Sequence, residues 1–196
     1  MREEAMESVA ALVGLRALER AMAEASPGTE VCAGVDIPHY PRLSTRANAL
    51  AVRMALPEGD QALFWELLKT AGLRAPAWNV GRLQKDPGVL RLWGIVLGLM
   101  KHPAALLALE PLVGMDAKTR EHFAGLLRWC AERGIPVSYT SARLKDVMDL
   151  GLPQKLRLAA PAGWVETDTA AMEAALAAAE DKSWNRLQAE WEGEDP

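Results

Sequence analysis

His102-Pro103-Ala104-Ala105-Leu106-Leu107-Ala108-Leu109-Glu110-Pro111-Leu112-Val113-Gly114-Met115-Asp116, answered downstream by Ile135-Pro136-Val137-Ser138-Tyr139-Thr140-Ser141, is the part of the chain that decides the fold. Ala104 to Leu109 is an unbroken apolar run between two prolines, too short for an ordinary helix, and reads as a strand buried on both faces. Asp116 then opens a helix whose inner face is Phe123, Leu126, Leu127 and Cys130. Gly134 ends it, and Ile135 to Tyr139 is a second strand. An apolar helix from Gly88 to about Lys101 precedes the first strand, and Pro103 stops it. A short helix near Leu144 to Leu150 and a strand near Leu156 to Ala160 follow the second. Strands alternating with helices through short connections predict a mostly parallel sheet flanked by helices, the α/β class.

Towards the N-terminus, Val9, Leu12, Leu15, Leu18 and Met22 recur at helical spacing, and Ser26-Pro27-Gly28 breaks the pattern before an apolar stretch at Val31 to Val35. The expectation there is helix, turn, strand. Ser44 caps a second helix running to about Leu56, and Pro57-Glu58-Gly59-Asp60 separates it from a third that carries Phe64, Trp65, Leu67 and Leu68 and stops at Gly72. Ala75 to Pro87, rich in Pro and Gly, reads as loop. Beyond Thr167 the chain is alanine-rich, with Met172, Leu176, Trp184, Leu187 and Trp191 in one apolar stripe. One α/β domain over residues 1–167, with an amphipathic helix over 168–196 packed on it, is the expected organisation.

With 196 residues the chain is long enough to bury a core without disulfide staples. Half of the residues are hydrophobic and 24% charged, a globular composition, and the net charge of −4 leaves no basic field for nucleic acid or for an anionic bilayer. Cys32 and Cys130 stand alone, signalling neither a disulfide framework nor a zinc site, and read as reduced core thiols. Met1 to Leu12 is too acidic for a secretory signal, and the densest apolar run, Leu92 to Met100, is well short of the roughly 20 residues that span a bilayer. The expected location is a bacterial-type cytoplasm, peripheral to the inner membrane through a partner, with no direct membrane insertion.

An apolar strand ending in a carboxylate and proline, followed by Gly114-x-Asp116 opening a helix, resembles the Walker B and D-loop region of ATP-binding cassette (ABC) transporter ATPases. The resemblance is clearest from about Gly88 to Ala160. It implies a P-loop NTPase-like fold with a reduced helical subdomain, because the span from Thr45 to Lys85 is roughly half of what the family places there. In the family the strand ends Asp-Glu-Pro, the Asp holding Mg²⁺ through water and the Glu polarising the attacking water. Here Leu109 takes the Asp position, and Glu110 is either a vestige of the catalytic Glu or a strand-end carboxylate satisfied by local hydrogen bonds. Ala142 falls on the switch histidine, and Lys85-Asp86-Pro87-Gly88-Val89 on the signature loop, with only Gly88 kept.

The phosphate loop, aligned on Ile37-Pro38-His39-Tyr40-Pro41-Arg42-Leu43-Ser44-Thr45, keeps the hydroxyl pair Ser44 and Thr45 but has Leu43 in place of the lysine and no glycine. Arg42, Ser44 and Thr45 are the vestigial cofactor contacts, no metal site is expected, and no cofactor is assigned. The resemblance therefore implies a catalytically inactive ABC-ATPase-like protein, a structural or regulatory subunit of a transport-related complex. Its partners would be other protein subunits, those of a membrane transporter among them, or a second copy in a homodimer. Interface candidates are Gly114 and Asp116 at the D-loop and Trp184, Leu187 and Trp191 on the last helix. Two alternatives stand beside this reading: a divergent ATPase that binds or hydrolyses ATP with Mg²⁺ through Arg42, Ser44, Thr45 and Glu110, and an adaptor unrelated to transport. His39, His102 and His122 show no spacing suited to a metal, and Trp65, Trp93 and Trp129 sit in apolar helical patterns as core residues.

Overall fold

A computed structural model describes residues 6, 8–13, 17–32, 37–73, 85–160 and 163–178. In chain order the elements are β1 (Val9–Val13), α1 (Ala17–Ala23), β2 (Thr29–Cys32), α2 (Thr45–Ala55), α3 (Glu58–Thr70), α4 (Pro87–Leu99), β3 (Ala105–Ala108), α5 (Ala117–Glu132), β4 (Val137–Ser141), α6 (Leu144–Met148), β5 (Lys155–Ala160) and β6 (Gly163–Thr167). A further helical stretch covers 169–178. The strands form one sheet in the order β2-β3-β4-β1-β5-β6, parallel throughout except for β6, which runs antiparallel to β5.

The centre of that sheet corrects the reading of the N-terminus. Val9 to Val13 is a strand, paired with β4 through Val9↔Val137 and with β5 through Ala11↔Leu156, and all five residues are buried. A strand covered on both faces needs no polar alternation, so its apolar run is compatible with helical spacing as well. Only the later part of the expected helix is one, as α1. Elsewhere the punctuation reads correctly: α2 is capped by Ser44, whose Oγ accepts from the Ala47 N–H, and Asp86 and Asp116 cap α4 and α5 in the same way through Val89 and Thr119.

Alternate residues of β1 point into two cores of unequal size. Val9, Ala11 and Val13 join the larger one, which includes Phe64, Trp93, Phe123 and Tyr139 from α3, α4, α5 and β4. Phe123 meets Tyr139 edge-on with ring centroids 5.5 Å apart. On the opposite face Ala10 and Leu12 meet Leu107, Leu109 and the alanines Ala17 and Ala21 of α1. Each fully buried large side chain contributes roughly 1.5–3 kcal/mol, so the first face carries most of the stability and the second only seats α1. Met172, from the 169–178 helix, is fully buried in the larger core.

Candidate functional site

In an open parallel sheet, ligands bind beyond the carboxyl ends of the strands where neighbouring connections leave in opposite directions. From β1 the chain crosses towards β2, whereas from β4 it crosses over β1 to β5, so the switch lies between β1 and β4. Among the described residues two strand ends border this crevice, Leu109-Glu110-Pro111 after β3 and Ala142-Arg143 after β4.

Glu110 is the best-defined residue there. Its φ is +46°, a left-handed conformation that non-glycine residues rarely take, and its amide, carbonyl and carboxylate all hold the turn. The amide donates to Thr140 Oγ1 at 2.8 Å, the carbonyl accepts from Arg91 Nη1 at 3.1 Å, and carboxylate Oε2 accepts from the Ala142 N–H at 3.2 Å. The side chain thus ties the end of β3 to the end of β4. Leu109, one residue earlier, is 5% exposed and packs with Leu12, Leu107, Ala17 and Ala21 beneath α1.

The fold moves the phosphate-loop position. A phosphate loop joins a strand to the helix that follows it, and at the switch point that junction is β1 to α1. Ile37 to Thr45 instead follows the edge strand β2, so the alignment of that stretch on the loop is corrected. Ser44 is spent on capping α2, Thr45 is 2% exposed, and Arg42 is on the exposed surface. Set against G-x-x-x-x-G-K-[ST], the sequence from Gly14 places Glu19 at the second glycine, Arg20 at the lysine and Ala21 at the hydroxyl. The last three lie inside α1, which starts at Ala17, and Arg20 Nε donates to Glu24 Oε1 at 2.8 Å. The signal that would have found this junction is a short apolar run closed by a single glycine before a helix.

The remaining predicted residues are structural in their contacts. Asp116 Oδ1 accepts from the Thr119 N–H at 2.7 Å, and hydrogen bonding to the Thr119 side chain first and to this amide second holds its carboxyl below the ordinary value. Gly114 sits at φ +78° in the turn before it, and a side chain on Gly88 would meet Met115 Cα at 3.1 Å and the Gly114 carbonyl at 3.2 Å. The start of α4 is therefore pressed against the turn that leads into α5. Trp184, Leu187 and Trp191 lie outside the described residues, as does most of the expected loop, 74–84. Among the described residues no group of His, Cys, Asp and Glu could hold a metal ion, and no helix is long and apolar enough to cross a membrane.

No protein-family model and no curated protein matches this sequence. Solved structures do. The chain is similar to a transport protein assigned to the metal-chelate ABC type, in an inward-facing conformation, with 14% identity over 82% of this chain and 73% of that one and a TM-score of 0.59. It is also similar to the ADP conformation of an ATP-binding cassette of an ABC transporter, with 12% identity over 80% and 78% of the two chains and a TM-score of 0.58. A dimeric bacterial ABC transporter cassette matches with 13% identity, 79% and 81% coverage and a TM-score of 0.54. At such identities the likeness establishes the fold: the P-loop NTPase-like α/β fold of ABC ATPase domains.

Proposed function

We propose that this chain is a catalytically silent ABC-ATPase-like subunit that works through protein contacts in a transport-related assembly. The observation that carries the reading is Leu109. At the strand end where the fold's active members hold Mg²⁺ with a carboxylate, this chain buries an isobutyl group beneath α1. An isobutyl group there offers no oxygen to a metal or its water, and it packs with Leu12, Ala17, Ala21 and Leu107 instead. The residues present do not fit a nucleotide–Mg²⁺ complex in two further respects: the β1–α1 junction has one glycine, and Glu110 is engaged with the Ala142 amide. A partner subunit or a second copy would meet the chain at the turn of Gly114 and Asp116, as the resemblance implies.

The test is a thermal shift with ATP and Mg²⁺ on wild type and on Glu110→Gln. A ligand present at 100 times its Kd adds about 2.7 kcal/mol to stability, so millimolar ATP gives a clear shift even for micromolar binding. The expected result is no Mg²⁺-dependent shift in either protein and no hydrolysis that the Gln variant lowers. A Mg²⁺-dependent upward shift, or turnover lost in Glu110→Gln, would establish the divergent ATPase instead.

A further inference from the structure

A cavity of about 270 Å³ lies between α4 and the edge strand β2 and borders the strand-end crevice at Leu109 and Pro111, with Arg91 linking its wall to the Glu110 carbonyl. We propose that this cavity is a binding site for a small monocarboxylate with an apolar body, anchored on Arg91. The volume corresponds to roughly nine waters of liquid, which sets the ligand at about ten heavy atoms, near the lower end of small-molecule sites.

The walls are mainly apolar, from Ile37, Pro38, Ile95 and Leu97, and the helical side is opened by Gly94 and Gly98 one turn apart. Neither glycine can carry a side chain without displacing a wall: a Cβ at Gly94 would stand 2.9 Å from Ile37 Cδ1, and one at Gly98 2.7 Å from Cys32 Sγ. Among the described residues three ionised groups border the space. Glu30 is paired with Lys101 at 2.6 Å, which leaves the Arg91 charge as the surplus. Cys32 adds none, because burial pushes its thiol up to about 12. A lone surplus cation selects an anionic head over a neutral or cationic one, and the nearby Glu30 disfavours a dianion.

Arg91 is built to receive a carboxylate in particular. Nη1 is spent on the Glu110 carbonyl, while Nε is buried with no partner among the described residues. An unsatisfied buried donor is costly, and the Nε edge of a guanidinium matches the two oxygens of a carboxylate. Binding at this site would turn that edge to an anion in the cavity. The acyl body then covers the apolar walls, and occupancy is felt at Glu110 through the same side chain.

The experiment is calorimetric titration of the full chain with octanoate, octan-1-ol and octylammonium at neutral pH, with amide NMR spectra recorded alongside. Octanoate should bind at one site, with the alcohol and the amine at least about tenfold weaker. Arg91→Met should reduce octanoate to the level of the alcohol, and Cys32→Phe, whose side chain points from β2 towards Gly94 and Gly98, should abolish binding. Amides of Cys32, Gly94 and Glu110 should shift on titration of the wild type. Equal binding of acid and alcohol, no binding at millimolar concentration, or shifts confined to other parts of the chain would overturn the proposal. If both variants unfold, the wild-type ligand series and the position of the shifted amides decide it alone. MgATP plays no part in these readouts, so they stand or fall separately from the silent-subunit reading.

Discussion

Leu109 and Glu110 are neighbours with opposite duties, and each is set by its surroundings. The Leu109 side chain is a packing element, so Leu109→Asp should not restore metal chemistry; it should place a carboxylate in an apolar cluster and cost roughly 3 kcal/mol or more at neutral pH. Urea unfolding checks this. The loss should shrink in acid, where the carboxyl is protonated, and a Leu109→Asp protein as stable as wild type would mean that the space beneath α1 is wet. The two thiols make a second prediction at this scale. Burial pushes both Cys32 and Cys130 from 9.0 up to about 12. Below about pH 9 both states keep the protons and the contribution is whole; between about pH 9 and about pH 12 the unfolded chain sheds protons that the folded one retains, and stability falls. Unfolding curves measured across that window should show the decline, and Cys130→Ala should flatten part of it.

Elements differ in how openly their sequences declare them, and the difference is physical. β3, α5 and β4 are legible because each is bounded by a chain-stopping or capping residue: Pro103, Pro111, Asp116 and Gly134. β1 carries no such mark on its N-terminal side, and burial on both faces erases the alternation that would separate strand from helix. That single ambiguity shifts the aligned phosphate loop from the centre of the sheet to its edge: Glu110 lies at the end of β3, whereas Arg42, Ser44 and Thr45 follow the edge strand β2. β6 was missed for a related reason, since an antiparallel edge strand held partly by the Arg157–Glu166 pair at 2.8 Å needs little hydrophobic pattern. Helix ends, by contrast, are predictable enough to test. Gly72 follows α3 at φ +67°, with Leu73 N–H donating to the Leu68 carbonyl at 2.8 Å, and its missing Cβ would stand 2.2 Å from His122 Nε2. Gly134 follows α5 at φ +66° with open space around it. Gly134→Ala should therefore cost only the left-handed conformation, roughly 1–2 kcal/mol, and Gly72→Ala should cost more because His122 must also leave. Equal melting temperatures for the two variants would show that His122 makes way freely.

On the scale of the whole molecule, the sheet is covered by helices from non-adjacent parts of the chain, and the last described helix is one of them. Met172 is fully buried with the larger core, Leu176 packs partly against it, and Asp168 Oδ1 caps the helix by accepting from the Ala171 N–H at 2.8 Å. Thr169 Oγ1 also approaches Met148 Sδ at 3.7 Å, placing the start of this helix beside α6. Removing everything from Asp168 onward would uncover the pocket that Met172 fills. One buried side chain of that size contributes roughly 1.5–3 kcal/mol, and the loss should grow with Leu176 and with whatever further contacts Trp184, Leu187 and Trp191 make. The truncated chain should therefore melt several degrees lower while still monomeric, with circular-dichroism melting and light-scattering mass measured on the same samples. Association makes the opposite forecast: if the segment served only to join subunits, stability would persist and mass alone would fall. Burial of Met172 within its own chain favours the first outcome, and an unchanged melting temperature with a halved mass would reassign the segment to the assembly interface.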